Sequence, residues 1–301
     1  MNRTLFPPIE ESEEQELITS VYEFVKVITS DKFYDEKSLI AFRGHADESF
    51  KLEPKVLRKE HYKKNEDRLL RDLIASHPHE FNYDRTMFDK LVRMQHVGLP
   101  TRLLDVTTNP LVALWFAVSE KKETDGAVVV FFINSKVKCY FDSDKVSLLS
   151  NLAALPYEDK ECIKNKILDD RLQTTQSITR FLHFIKDEKP YFESKIDFLD
   201  LLKVLYVIPK MSNKRILAQS GAFLLFGIDK KDIYYNIEET QDNGNPNSSL
   251  ISTKRIKLDH GYKPQMKKDL EKLGIHAGTL FPDFDKSAEY LSDRYNRVTD
   301  T

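Results

Sequence analysis

Glycine is scarce in this chain, with 9 residues in 301. No stretch spells G-x-G-x-x-G, and the G-x-x-x-x-G-K-[ST] phosphate cradle is missing too, so a dinucleotide fold or nucleotidase built on a glycine-rich loop is excluded. Each remaining glycine therefore marks a place where the backbone needs positive φ or where another group must come close. Cysteine is almost as rare: Cys139 and Cys162 stand alone and suggest no disulfide framework. No apolar run approaches the roughly 18 residues that cross a bilayer. The opening stretch, Met1 to Glu16, is polar and acidic, unlike a secretory leader. The expectation is a soluble, cytoplasmic chain with no membrane partner.

Charge of either sign is also not in excess. With 46 basic and 48 acidic residues, any nucleic-acid contact must come from a local patch. The best such patch is Lys254-Arg255-Ile256-Lys257, which alternates as an amphipathic strand would and reads first as a solvated sheet face. His77-Pro78-His79-Glu80 has metal-binding residue types, but H-E-x-x-H and paired cysteines at zinc spacing are both missing, and no metal is expected. Neither a nucleophile elbow nor a nuclease-like carboxylate cluster is present.

What is present is a mixed pattern, 41% apolar and 31% charged, with 19 Phe and 13 Tyr, enough for one sizeable core or two modest ones. Ser12 and Gln15 have capping-box spacing ahead of Leu17, Val21, Phe24 and Ile28, which predicts a helix over about 12–29. Leu39 to Phe42 reads as a strand ending at Arg43-Gly44. Helices are expected near 66–75 and 86–95, and a weak strand over 101–106. Asn109 or Thr108 can then cap a helix with Pro110 at its first position. A strand at 127–133, a largely helical middle from 145 to 202, and a strand at 204–208 follow. Ser212 can cap a short helix reaching Gln219, and Gly221 opens a strand over 222–226. Thr240 to Ser249 reads as an exposed loop, followed by a strand at 250–258 and helices near 264–273 and 285–295.

Three clusters hold residues suited to chemistry. In Phe42-Arg43-Gly44-His45, an arginine at a strand end presents a planar fork to phosphate or carboxylate, and Gly44 lets a ligand approach. The alternative is an arginine paired with a buried aspartate. Lys55 and Arg58 extend this into an anion-binding face. The second cluster, Gln95-His96-Val97-Gly98-Leu99-Pro100-Thr101-Arg102-Leu103-Leu104-Asp105, leads into Thr107, Thr108 and Asn109 at a helix N-terminus, where amides favour anions. Arg102 and Asp105 would face opposite sides of a regular strand, and the alternative for Asp105 is simply to hold the turn. The third is Arg215-Ile216-Leu217-Ala218-Gln219-Ser220-Gly221-Ala222-Phe223. Gln219 offers a donor and an acceptor, or is an ordinary helix-end residue.

Together these clusters resemble the FRG-domain family, named for the tripeptide Phe42-Arg43-Gly44. The run from Gln95 to Pro110, followed by Ala113-Leu114-Trp115-Phe116-Ala117, carries most of the likeness. Leu149-Ser150-Asn151-Leu152, the third cluster and the tail Thr279-Leu280-Phe281-Pro282-Asp283 support it. The likeness runs from about Val21 to Leu291, so a single domain over 1–301 is expected.

The layout in turn is similar to ADP-ribosyltransferases. That similarity implies an α+β fold with a split β-sheet core and interspersed helices, and NAD as co-substrate. Arg43 would hold the pyrophosphate, with Gly44, Arg58 and Arg102 in the cofactor-binding set. Thr107, Thr108 and Asn109 would shape the nicotinamide ribose pocket. Gln219 would occupy the place usual for a catalytic glutamate, and His96 or Asp105 would take the acceptor's proton. Gln219 is not a carboxylate base, and Glu238 or Glu239 is not placed to replace it. The implied activity is an intracellular toxin modifying RNA or protein, held by an antitoxin partner, in phage defence. A non-catalytic nucleotide-sensing module is the other class.

Overall fold

The computed structural model describes residues 17–33, 38–168, 175–193, 196–228, 237–239 and 250–298. Its eight strands form one sheet in the order β4-β5-β6-β2-β1-β3-β8-β7. They are β1 Ser38–His45, β2 Leu103–Thr107, β3 Gly126–Asn134, β4 Lys138–Tyr140, β5 Val204–Ile208, β6 Gly221–Phe226, β7 Ile237–Glu239 and β8 Ile251–Leu258. All neighbours are antiparallel except the edge pairs β4/β5 and β7/β8.

Helices interleave with the strands: α1 Val21–Ile28, α2 Glu60–Lys64, α3 Glu66–Ser76, α4 Met87–His96, α5 Pro110–Ser119, α6 Asp144–Asn151 and α7 Tyr157–Leu168. The remainder are α8 Gln176–Glu188, α9 Lys214–Ala218, α10 Lys263–Lys272, α11 Ala277–Leu280 and α12 Phe284–Val298. The molecule is thus a mixed α/β chain. Among the described residues, no helix is long and apolar enough to cross a membrane.

Alternation along β1 sends side chains into two cores. Phe42 joins Val128, Val130 and Ile256 under α1, α5 and α10. Ala41 joins Val129, Phe131 and the residues of α4, α6 and α8 on the other side. Helix α5 is apolar on nearly every side, with Val112, Ala113, Leu114, Trp115, Ala117 and Val118 all buried.

One seam divides the sheet. Strand β1 pairs with β3 along eight residues, whereas it meets β2 at the single pair Phe42↔Thr107. Since β2 is fully paired with β6 through Leu103–Thr107, β1/β2 is the most sparsely laced neighbour pair among the described strands. Ladder hydrogen bonds are what hold strands in register, so this seam is the least constrained line in the sheet.

Several expectations need correction. The first helix begins at Val21 rather than near residue 12. Ile18 is extended and bridges Leu258, and Ser20 Oγ accepts the Glu23 amide as the N-cap. Residues 12–16 and the loop expected at 240–249 lie outside the described residues. Asn213, not Ser212, caps α9 through the Arg215 amide. Strand β1 continues to His45 instead of stopping at Gly44. Before β6 the residue with left-handed backbone is Ser220, at φ 47°, and not Gly221.

Candidate functional site

The seam places the first cluster beside the second. Arg43 follows the one β1/β2 pair, and its Nη1 reaches across the seam to the Asp105 carbonyl at 2.5 Å. Its Nε is buried without a hydrogen-bond partner. Desolvation pushes the guanidinium's pKa down, Asp105 opposes the shift, and the neighbouring Arg58 adds to it. An arginine has such a high starting value that it stays charged, so the cost of burial is only partly offset by Asp105.

The Asp105 carboxylate faces outward at the end of a short relay. Thr101 Oγ1 donates to Gln95 Oε1 at 2.7 Å, and Gln95 Nε2 donates to Asp105 Oδ2 at 2.8 Å. Helix α4 supplies Gln95 and His96 in its last turn, where the chain turns away at Gly98, φ 85°. This positive φ is the reason for a glycine there.

The third cluster closes on the second through the backbone. Thr107 Oγ1 donates to the Gln219 carbonyl at 2.6 Å and accepts the Asn109 amide, while the Thr108 amide donates to the Ser220 carbonyl at 3.0 Å. Asn109 Oδ1 caps α5 at the Leu111 amide. A hollow of about 30 Å³ lies between His96, Asp105, Arg215 and Gln219. It continues past His96 and Asn213 into a larger one of about 190 Å³, bordered by the ion pairs Lys210–Asp89 and Arg93–Asp84.

The segment 280–283 contacts three residues that line the smaller hollow. Gln219 Nε2 donates to the Leu280 carbonyl at 3.0 Å, the Arg215 guanidinium sits 4.9 Å from the Phe281 ring centroid, and His96 Nε2 is 3.7 Å from Asp283 Oδ2. The structure therefore brings Arg43, His96, Asp105 and Gln219 around one seam and its adjoining hollow.

Other expected site residues are placed differently. Arg102 is 2% exposed and turns inward, away from Asp105. Its Nε and Nη2 fork onto Glu66 at 2.9 and 2.5 Å, and its Nη1 donates to the Phe226 and Gly227 carbonyls. Lys160 reaches the same carboxylate at 2.5 Å. This removes Arg102 from the cofactor-binding set, because its guanidinium is consumed inside the fold. Burial would push the Glu66 carboxyl up, but Arg102 and Lys160 outweigh it and hold the pKa down at about 2.

Gly44 is corrected as well. A Cβ there would lie 2.0 Å from the Ala113 carbonyl oxygen and 2.7 Å from the Ala117 amide nitrogen. The glycine admits α5 to the sheet; it does not admit a ligand. Thr107 and Asn109 are committed to the turn and the helix cap, which leaves Thr108 as the exposed member of that trio. Arg58 is exposed, with Nε on the Glu53 carbonyl.

Gln95, Arg215, His45 and Asp283 were missed as site residues, although each lies inside or beside a motif already singled out. Elsewhere, Asp125, Asp259 and His260 hold ligand-type atoms within 4.8 Å of one another. His260 Nδ1 and amide both bond Asp125, and the Gly261 amide bonds Asp259, so the group braces a loop.

Fold and site define a mixed α/β chain with an arginine-marked seam in its sheet. Residues 38–126 match the family model of the FRG domain, which supports the FRG-domain family. The matched span carries the first two clusters and α5, while Gln219 lies outside it. Neither a curated protein nor a solved structure matches the chain.

Proposed function

We propose that the protein is an NAD-dependent ADP-ribosyltransferase acting on RNA. The observation that supports this best is the seam: β1 and β2 meet at the single pair Phe42↔Thr107, with a partly unpartnered Arg43 on one side and Asp105 and Gln219 on the other. In this reading Arg43 takes the pyrophosphate, and Thr108 borders the nicotinamide ribose while Thr107 and Asn109 hold the turn.

The reaction breaks the bond from ribose C1′ to the nicotinamide nitrogen, whose electron pair leaves with nicotinamide. The acceptor oxygen or nitrogen then bonds C1′, and its proton passes to Asp105 or His96. Positioning and fixed dipoles around an oxocarbenium-like ribose carry most of such a rate enhancement. Gln219 would orient a ribose hydroxyl once its amide leaves the Leu280 carbonyl. In this reading the 280–283 segment, whose Leu280 carbonyl accepts from Gln219, moves aside on binding.

Adenylate-labelled NAD incubated with cellular RNA tests this: label enters RNA with the wild type and not with Arg43→Ala. Label in protein instead would move the acceptor to protein. The reading extends to a cytoplasmic toxin of phage defence held by an antitoxin. A second reading, a non-catalytic nucleotide sensor, is favoured by the amide at Gln219 where a carboxylate base would stand. Binding of NAD without nicotinamide release would select it.

A further inference from the structure

His45 is the least explained polar side chain near the seam. It is 2% exposed, and its Nδ1 has no hydrogen-bond partner, although buried polar atoms nearly always have one. Two residues along β1, Arg43 shares its face and has its own orphaned Nε. The register carries that row across the sheet, with Arg43 opposite Val129 and Val129 opposite Arg255. Arg255 donates to the Glu48 carbonyl at 3.0 Å, and at the edge of the group Lys257 pairs with the Glu48 carboxylate. Arg58, exposed and with its Nε on the Glu53 carbonyl, is near enough to act electrostatically on both Arg43 and His45.

Burial, then Arg43, Arg255 and Arg58 in that order, push the imidazole's pKa down to about 3, against a weaker pull from the Phe50 backbone. The ring is neutral at pH 7. A neutral ring that donates to the Phe50 carbonyl keeps a bare lone pair on its other nitrogen. Three guanidiniums around a lone-pair acceptor suit one kind of ligand: an oxyanion that carries a hydroxyl group close by.

We propose that Arg43, Arg58 and Arg255 form a phosphate pocket for a ribose phosphate, with His45 Nδ1 accepting a hydrogen bond from a hydroxyl of the same ligand. The pocket deepens the nucleotide reading of Arg43 and needs no transfer chemistry. It also gives β8 a role, since Arg255 comes from a strand two places away from the seam.

Calorimetry on the full chain at low ionic strength, with ADP-ribose and inorganic diphosphate as probes, tests it. Both probes bind the wild type, and Arg58→Gln and Arg255→Gln each weaken both by about tenfold, the scale of one charge-assisted contact. His45→Phe weakens ADP-ribose alone, and His45→Gln, which keeps an acceptor, restores it. Arg58 is exposed, so its variant keeps the test decisive even where a buried substitution fails to fold. Absence of binding by folded wild type, or undiminished binding in both arginine variants, overturns the pocket. Diphosphate binding without ADP-ribose binding overturns the ribose assignment. ADP-ribose binding that depends on these residues, in a protein that transfers no label, upholds the pocket and overturns only the transferase reading.

Discussion

Arg43 and Arg102 both flank the β1/β2 seam, both sit in motifs suited to anion binding, and their guanidiniums end in opposite circumstances. Arg102 is fully paired, with a carboxylate fork from Glu66 and two backbone carbonyls. Arg43 has one carbonyl, an orphaned Nε and another arginine nearby. A buried charge that is fully paired belongs to the fold; one left partly unpaired at the seam is held at a cost that a ligand can offset. An arginine consumed by the fold thus differs from one with donors still unpaired, whatever motif each sits in.

The largest expected effect breaks the structural side. Glu66→Ala strands Arg102 and Lys160 as buried cations and should destabilise the protein by about 3–5 kcal/mol, read by urea denaturation. Arg43→Gln should change stability by no more than about 1 kcal/mol, since no carboxylate partner is lost.

Acid titration separates the two regions next. The depressed His45 pKa, about 3 against 6.5, means that the unfolded chain takes up a proton first as pH falls. Stability should therefore decline from pH 6.5 toward 3, with a limiting slope of about 1.4 kcal/mol per pH unit. Glu66, at about 2 against 4.5, contributes stability that is intact above pH 4.5 and is lost as pH falls toward 2. Denaturation midpoints between pH 6.5 and 4.5 should flatten in His45→Gln, while the fall below 4.5 remains.

Smaller effects concern the glycines. Gly44→Ala forces a Cβ into the α5 backbone and should cost about 1–3 kcal/mol even without ligand, by thermal unfolding. Gly98→Ala has open space around it and should cost about 1 kcal/mol through its positive φ alone. Gly221→Ala meets only ordinary contacts, 3.5 Å and beyond, and should be nearly neutral.

Local chemistry was legible in the sequence. Asn109-Pro110 marked the start of α5, and the strands at 127–133 and 204–208 fell where their apolar runs lay. The role of Arg102 was not legible, because its partners Glu66 and Lys160 are distant in sequence and only the fold brings them together. Gly44 was misread for a similar reason: the group that approaches it is α5, some seventy residues on. His45 was not legible either, because the strand was expected to end at Arg43-Gly44 and the isolation of its Nδ1 from partners is a property of packing. The seam depends on how few β1/β2 pairs form, which no strand's own pattern encodes.

The central claim is that Arg43 binds ligand whereas Arg102 holds the fold, and NAD-dependent thermal stabilisation tests it most directly. The account predicts that Arg43→Gln unfolds within about 4 °C of the wild type without NAD and gains nothing from NAD that stabilises the wild type. Equal stabilisation of wild type and Arg43→Gln by NAD would contradict it.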